Sequence, residues 1–181
     1  LGLVTSSVGI DDEIMTVFRR SGCKGLLIGF ESITQESQQY IHKGVNKVNS
    51  YVSLMERLHD NGILVQGCFA FGGDEEDESV FDRTVEMIIK AKIDLPRYSI
   101  LTPFPQTQYY AQLEKEGRII ERNWAMYDVQ HCVFQPKQMT KEQLEEGTDR
   151  AWRDTYKTSN IMKRLPEDQK EDAGEKGKRK K

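Results

Sequence analysis

Apolar positions along this chain fall into two rhythms. Three short unbroken runs, "GLLIGF" (25–30), "ILVQGCFAF" (63–71) and "YSIL" (98–101), have the length and flanks of buried strands. Between them the apolar residues recur at helical spacing. Asp11 to Arg20 sets Ile14, Met15 and Phe18 on one face, with Asp11 or Asp12 as cap and Gly22 as stop. Val48 to Asp60 gathers Val48, Tyr51, Val52, Leu54, Met55 and Leu58, and Gly62 ends it. Glu78 to Lys92 turns Val80, Val85, Ile88 and Ile89 inward, after an acidic first turn that suits the helix dipole. The opening "LGLVT" reads as a further strand, already under way where the sequence starts. Buried strands alternating with amphipathic helices predict an α/β fold with a parallel sheet of four βα units. Four units are too few for a full barrel and leave an exposed edge.

After Thr107 the character changes. "TQYYAQLEKEG" predicts a helix stopped by Gly117, and an aromatic linker, "RNWAMYDVQHCVFQP", follows. A last helix is expected from Thr140, where Thr140 and Gln143 suit a capping box, through Trp152 to about Tyr156. The expected division is therefore 1–106, 107–162 as a mostly helical extension, and 163–181 as a charged tail. That tail is almost wholly charged, polar, Gly or Pro, and is expected to be disordered because it cannot offset its ordering entropy by burial.

Composition narrows the function classes. The 181 residues carry 26 Lys and Arg against 29 Asp and Glu, a net charge of −3, so no global field favours nucleic acid. The basic ending "KGKRKK" reads as a solvated terminus rather than a nucleic-acid or membrane patch. No apolar run approaches the roughly 18 residues of a membrane span. Cys23, Cys68 and Cys132 are odd in number and widely spaced, which suits neither a disulfide framework nor a metal knuckle. A reducing cytoplasm is the expected setting.

Ligands of βα folds bind at the carboxyl ends of the strands. Here those ends present Thr5, Ser6 and Ser7; then Gly29, Phe30, Glu31 and Ser32; then Gly72, Gly73 and Asp74; then Thr102, Pro103, Phe104 and Pro105. Small and polar groups beside apolar ones suit a cofactor with a ribose, a charged end and an aromatic ring. Each candidate has a plainer alternative. Glu31 either faces a ligand or caps the next helix. Gly72–Gly73 either admits a ligand to the backbone or simply turns. The acids from Asp74 to Glu78 read as dipole and solvation chemistry ahead of a metal site. Cys68 reads as a small buried hydrophobe. His42 and His59 sit near helix ends; His131, among aromatics, stands out more.

The stretches "SGCKGLLIGFES", "KGVNK", "HDNGILVQGCFAFGGDEEDES", "ILTPFPQT", "NWAMYDVQHCVFQP" and "RAWRDTYKTSNI" occur in order over residues 1 to 165. Together they resemble the radical SAM enzymes that carry a cobalamin-binding domain, the broad group of hopanoid methylase and the anaerobic magnesium-protoporphyrin cyclase. The resemblance implies the C-terminal part of such an enzyme: strands three to six of a partial TIM-like (β/α)6 barrel, then a helical extension. It implies S-adenosylmethionine held at the strand ends against a 4Fe–4S cluster, with cobalamin, for methyl transfer or related radical chemistry on a small-molecule substrate. It carries cofactor contacts to Glu31 and Ser32 at the fourth barrel strand, to Lys43, to the Gly67–Gly72 strand beside the adenine, and to Thr102 and Phe104 at the sixth strand.

The sequence also departs from that pattern. The CxxxCxxC cluster loop and the cobalamin-binding domain are absent from these residues, so cluster and cobalamin ligands are expected elsewhere in the complete protein. Gln106 and Gln108 stand where the group usually has Gly and Pro, and Gly73 where Phe is common. The implied partner is the other half of the barrel, and the chain by itself is expected not to cleave S-adenosylmethionine. A degenerate remnant or a partner-binding module is the alternative, and an unrelated small βα enzyme a more distant one.

Overall fold

The computed structural model describes residues 2–6, 11–33 and 51–165. Four strands, β1 (Gly2–Thr5), β2 (Gly25–Glu31), β3 (Leu64–Phe71) and β4 (Arg97–Ile100), lie in the order 1-2-3-4. All neighbours are parallel, with Val4 beside Ile28, Ile28 beside Gly67, and Phe69 beside Tyr98. Among the described residues the sheet stays open, as four units require. Helices α1 (Asp12–Arg20), α2 (Tyr51–Asp60) and α3 (Ser79–Ala91) alternate with the strands. The expected start of α2 at Val48, and His42 and Lys43, lie outside the described residues.

Local chemistry explains where these elements begin and end. Asp11, not Asp12, caps α1, its carboxylate accepting from the Glu13 and Ile14 N–H groups. Asp94 accepts from the Val65 N–H and from His59 Nε2, which joins the end of α2 to the start of β3. This gives His59 a structural role.

Beyond β4 come α4 (Gln108–Lys115), a 3-10 turn (Trp124–Met126), α5 (Lys141–Thr155) and α6 (Thr158–Arg164). The Thr140–Gln143 capping box of α5 is complete in both directions. Helix α6 crosses the expected boundary at 163, and Arg164 is buried; residues 166–181 lie outside the described set. The extension has no core of its own. Leu113, Phe134, Leu144 and Ala151 belong to the same apolar cluster as the strands.

Burial alternates strictly along the sheet. Leu26, Ile28 and Phe30, then Val65, Gly67, Phe69 and Phe71, then Tyr98 and Ile100, face the helices and are buried. Aromatic rings run through that layer. Tyr51 meets Phe30 edge-on, Phe30 stacks on Phe69 at 5.3 Å, Phe71 stacks on Tyr98 at 5.3 Å, and Tyr98 meets Trp152 of α5 edge-on. Such pairs each add roughly 0.5–1.5 kcal/mol beyond their buried area.

The tightest approach is between α5 and α3. A Cβ added at Gly147 would lie 2.2 Å from the Phe81 ring. Glycine is needed there for space, although it costs a helix about 1 kcal/mol against alanine. Gly147→Ala should therefore destabilise the fold by about 2 kcal/mol through overpacking, despite the gain in helix propensity. Urea unfolding of the variant measures this, and a midpoint equal to or above the parent's would refute it.

Candidate functional site

Among the described residues the second face of the sheet carries no helix. Thr5, Leu27, Gly29, Gln66, Cys68, Ala70 and Ser99 point away from the helical layer and are only partly covered or exposed, and Leu3 is 77% exposed. In a barrel this face is the interior. Apart from Leu3, Leu27 and Leu64, its residues are small or polar where the helix-facing ones are large and apolar. The composition differs between the two faces because one packs against helices and must be dry, while the other has no covering layer among the described residues.

At the carboxyl end of β2 the ladder slips. Gly29 pairs with Cys68 but Glu31 with Phe69, so β2 spends one residue more than β3 there. Glu31 takes φ +66, a left-handed conformation uncommon for a residue other than Gly. Bulges of this kind end pairing and re-aim side chains beside functional sites. Glu31 ends the buried run because the backbone turns out of the ladder at that residue.

The loop after β3 is organised by a carboxylate. Glu76 is 1% exposed. One oxygen accepts from the Ser32 hydroxyl at 2.7 Å; the other accepts from the Gly72 and Gly73 N–H groups at 2.9 and 3.0 Å. Gly72 sits at φ +109, and a Cβ there would crowd Leu144 and Phe134. The glycine pair is thus a turn closed on Glu76, and its N–H groups are already engaged. Ser32, reached from β2, is held by the same group.

Asp74 stands on the other side of that turn. Arg118 donates to it through both terminal nitrogens, at 2.6 and 3.1 Å, and Lys137 Nζ lies at 2.8 Å. Arg118 also bonds Glu116 and the Gln135 carbonyl and lies over the Phe134 ring. The acids after the glycine pair therefore divide. Asp74 anchors the extension, Glu76 closes the turn, and Asp77 accepts from Ser79 at the start of α3. Sequence reasoning took them together as helix-dipole chemistry and missed the first two, which Arg118 and Ser32 reach from 44 residues away.

The remaining candidates fall as follows. Gly67 lies on the helix-facing side, where a Cβ would meet Ile93 and Phe30. Its lack of a side chain serves packing, and its N–H donates to the Leu95 carbonyl. Thr102 is buried and its hydroxyl donates to the Ile100 carbonyl. Phe104 is exposed beyond β4, near the start of α4. The structure thus brings Glu31, Ser32 and Gly72 to one end of the sheet around Glu76. Thr102 and Phe104 follow β4 at that same end.

Metal chemistry finds no ligand set here. Among the described residues no group of three or more His, Cys, Asp or Glu could hold an ion. Cys132 is buried, and burial pushes its thiol up to about 11, so it stays protonated. The three cysteines do not fit an iron–sulfur cluster. No helix among the described residues is long and apolar enough to cross a membrane.

A parallel βα sheet covered on one face and open on the other, with its strand ends gathered around a buried acid, is compatible with part of a TIM-like enzyme. No family model matches the chain. It is 37% identical over 153 residues to the bacteriochlorophyllide d C-12(1)-methyltransferase of Chlorobaculum tepidum, covering 84% of this chain and 33% of that protein. It is 32% identical over 115 residues to the C-8(2)-methyltransferase of the same organism, covering 63% and 26%. The anaerobic magnesium-protoporphyrin IX monomethyl ester cyclase of Cereibacter sphaeroides is 22% identical over 146 residues, covering 81% and 23%. The chain belongs to the radical SAM group that contains these methyltransferases and cyclases. It spans about a third of the length of the first of these relatives.

Asp74 makes the site acid-sensitive. Burial alone would raise its carboxyl; the bonds and charge of Arg118 and Lys137 outweigh burial and hold it below the usual range. A carboxyl depressed in the folded state adds stability above its unfolded pKa and loses it as pH falls through the folded value. Asp74 should therefore stabilise the fold at neutral pH and lose that effect below about pH 4. Asp74→Asn should be less stable than the parent at neutral pH, with the gap narrowing on acidification. Urea midpoints across that range check this, and a gap that stays constant would contradict it.

Proposed function

We propose that the complete protein is a radical SAM methyltransferase acting on a substituent of a magnesium tetrapyrrole. In this reading the chain forms the C-terminal part of the barrel and its extension. The observation that carries it is the 37% identity to a bacteriochlorophyllide methyltransferase across 84% of the chain. That share is too large to be confined to the strands that any such barrel would have.

The chain's own contribution is to hold and orient. Its open sheet face has the small and polar residues, Gly29, Gln66, Cys68 and Ser99, that allow a cofactor to approach the backbone. S-adenosylmethionine, when bound, supplies the one-carbon group or the hydrogen-abstracting fragment. Glu31 offers a carboxylate to the cofactor's ribose hydroxyls or ammonium group. Ser32, Gly72, Thr102 and Phe104 shape the strand ends around it, with Gly67 behind them and Lys43 on the cofactor carboxylate. Glu76 fixes that arrangement by tying the end of β2 to the turn after β3. The iron–sulfur cluster has no ligands in this chain and belongs to the N-terminal part of the barrel. Cobalamin would likewise be held outside these residues, in a reducing cytoplasm.

Two measurements test the reading. Full-length protein, reconstituted with iron and sulfide and given S-adenosylmethionine, reductant and cobalamin, should add a methyl group to a bacteriochlorophyllide, read by mass spectrometry. Unmodified pigment alongside competent cleavage of S-adenosylmethionine would refute the substrate class. Glu31→Ala should weaken S-adenosylmethionine binding roughly tenfold to a hundredfold, the value of a charge-assisted hydrogen bond. If Glu31 only caps a helix, the variant loses about 1 kcal/mol of stability with affinity intact.

A further inference from the structure

The 119–134 segment carries an element that nothing so far explains. It is a loop closed at its base by the Ile119–Phe134 bridge, with Ile120 and Glu121 both donating to the Val133 carbonyl. Within it, Asp128 accepts from the Gln130 and His131 N–H groups and also holds the His131 ring. His131 Nδ1 lies 2.9 and 3.0 Å from the two carboxylate oxygens. The ring's other nitrogen, Nε2, takes no hydrogen bond among the described residues, and the side chain is 46% exposed. Val129, between the two, is held at φ +63, which is unfavourable for a β-branched residue.

Position gives this turn its meaning. The Ile100 N–H donates to the Val129 carbonyl at 2.7 Å, which docks the turn against the carboxyl end of β4. That is the end of the sheet that carries Glu31 and Gly72. The same loop exposes Trp124, 55% accessible and packed on Tyr127 and Tyr110. A large exposed indole and a half-exposed imidazole on one loop suit a flat, apolar ligand that carries a metal.

A carboxylate on Nδ1 keeps the proton there and leaves Nε2 as a lone-pair donor, the arrangement by which proteins orient metal-binding histidines. Among the described residues no set of three His, Cys, Asp or Glu forms an ion site at this nitrogen, so a metal suited to it is one that arrives with its other positions filled. The magnesium of a tetrapyrrole meets that condition: four ring nitrogens occupy its plane and an axial position stays open. We infer that His131, oriented by Asp128, is the axial ligand to the magnesium of the substrate. The inference rests on the tetrapyrrole reading above and assigns a residue of the extension to substrate recognition.

The test uses full-length protein with magnesium protoporphyrin IX and with metal-free protoporphyrin IX, titrated by absorbance. The parent should bind the magnesium form at least about tenfold more tightly, with a band shift marking axial ligation. His131→Ala should abolish the shift and the preference while keeping its affinity for the metal-free form. Asp128→Asn should weaken the magnesium form about tenfold. His131→Gln and thermal midpoints of all variants report on folding. If the parent binds both forms equally, or His131→Ala loses both alike, the axial role is overturned and the substrate class stands. If neither form binds, the substrate class fails and the ligand assignment with it.

Discussion

The buried carboxylate of Glu76 is the constraint from which the arrangement of the strand ends follows. A charge placed there costs several kcal/mol unless hydrogen bonds replace its water. The donors come from two places: Ser32 at the end of β2, and the Gly72–Gly73 turn after β3. Meeting the acid's needs therefore fixes the separation of two neighbouring strand ends. Gly72 is required because only a residue without Cβ reaches φ +109 beneath Leu144 and Phe134. The neighbouring Asp74 extends this arrangement outward through Arg118 and Lys137, so the extension is docked against the same turn.

The two faces of the sheet obey different rules for the same reason. The helical face excludes water and is filled by a run of aromatic rings from Tyr51 to Trp152. The open face has no covering layer among the described residues, and most of its side chains are short or polar. The extension then does more than cap the sheet. Its helices share one core with the strands, and its 119–134 loop returns to the edge of β4.

Much of this was legible from residue order. The strand runs, a cap at Asp11 or Asp12, the Thr140–Gln143 box and the four-unit parallel sheet all follow from local periodicity and capping chemistry, which depend on neighbours a few residues apart. The ordered motifs carried the family as well, and the relatives agree with it. The strand-end location of Glu31 was legible too, but the bulge and left-handed backbone that place it there were not, because register is settled between strands. Helix α6 was missed because its sequence is polar and its stability comes from Arg164 and its neighbours packing against the rest.

The sequence by itself determined which segments become strands and all the longer helices, that the strands run parallel, and which residues stand at the strand ends. Those properties are encoded in spacing and side-chain type. Only the tertiary structure decided that Gly67 serves the helical side, that Glu76 rather than a ligand takes the glycine N–H groups, and that Asp74 joins Arg118. The first and last depend on partners tens of residues away, and Glu76 is fixed over its neighbouring glycines by Ser32, 44 residues away; burial converts an ordinary surface acid into an anchor only when such a partner arrives.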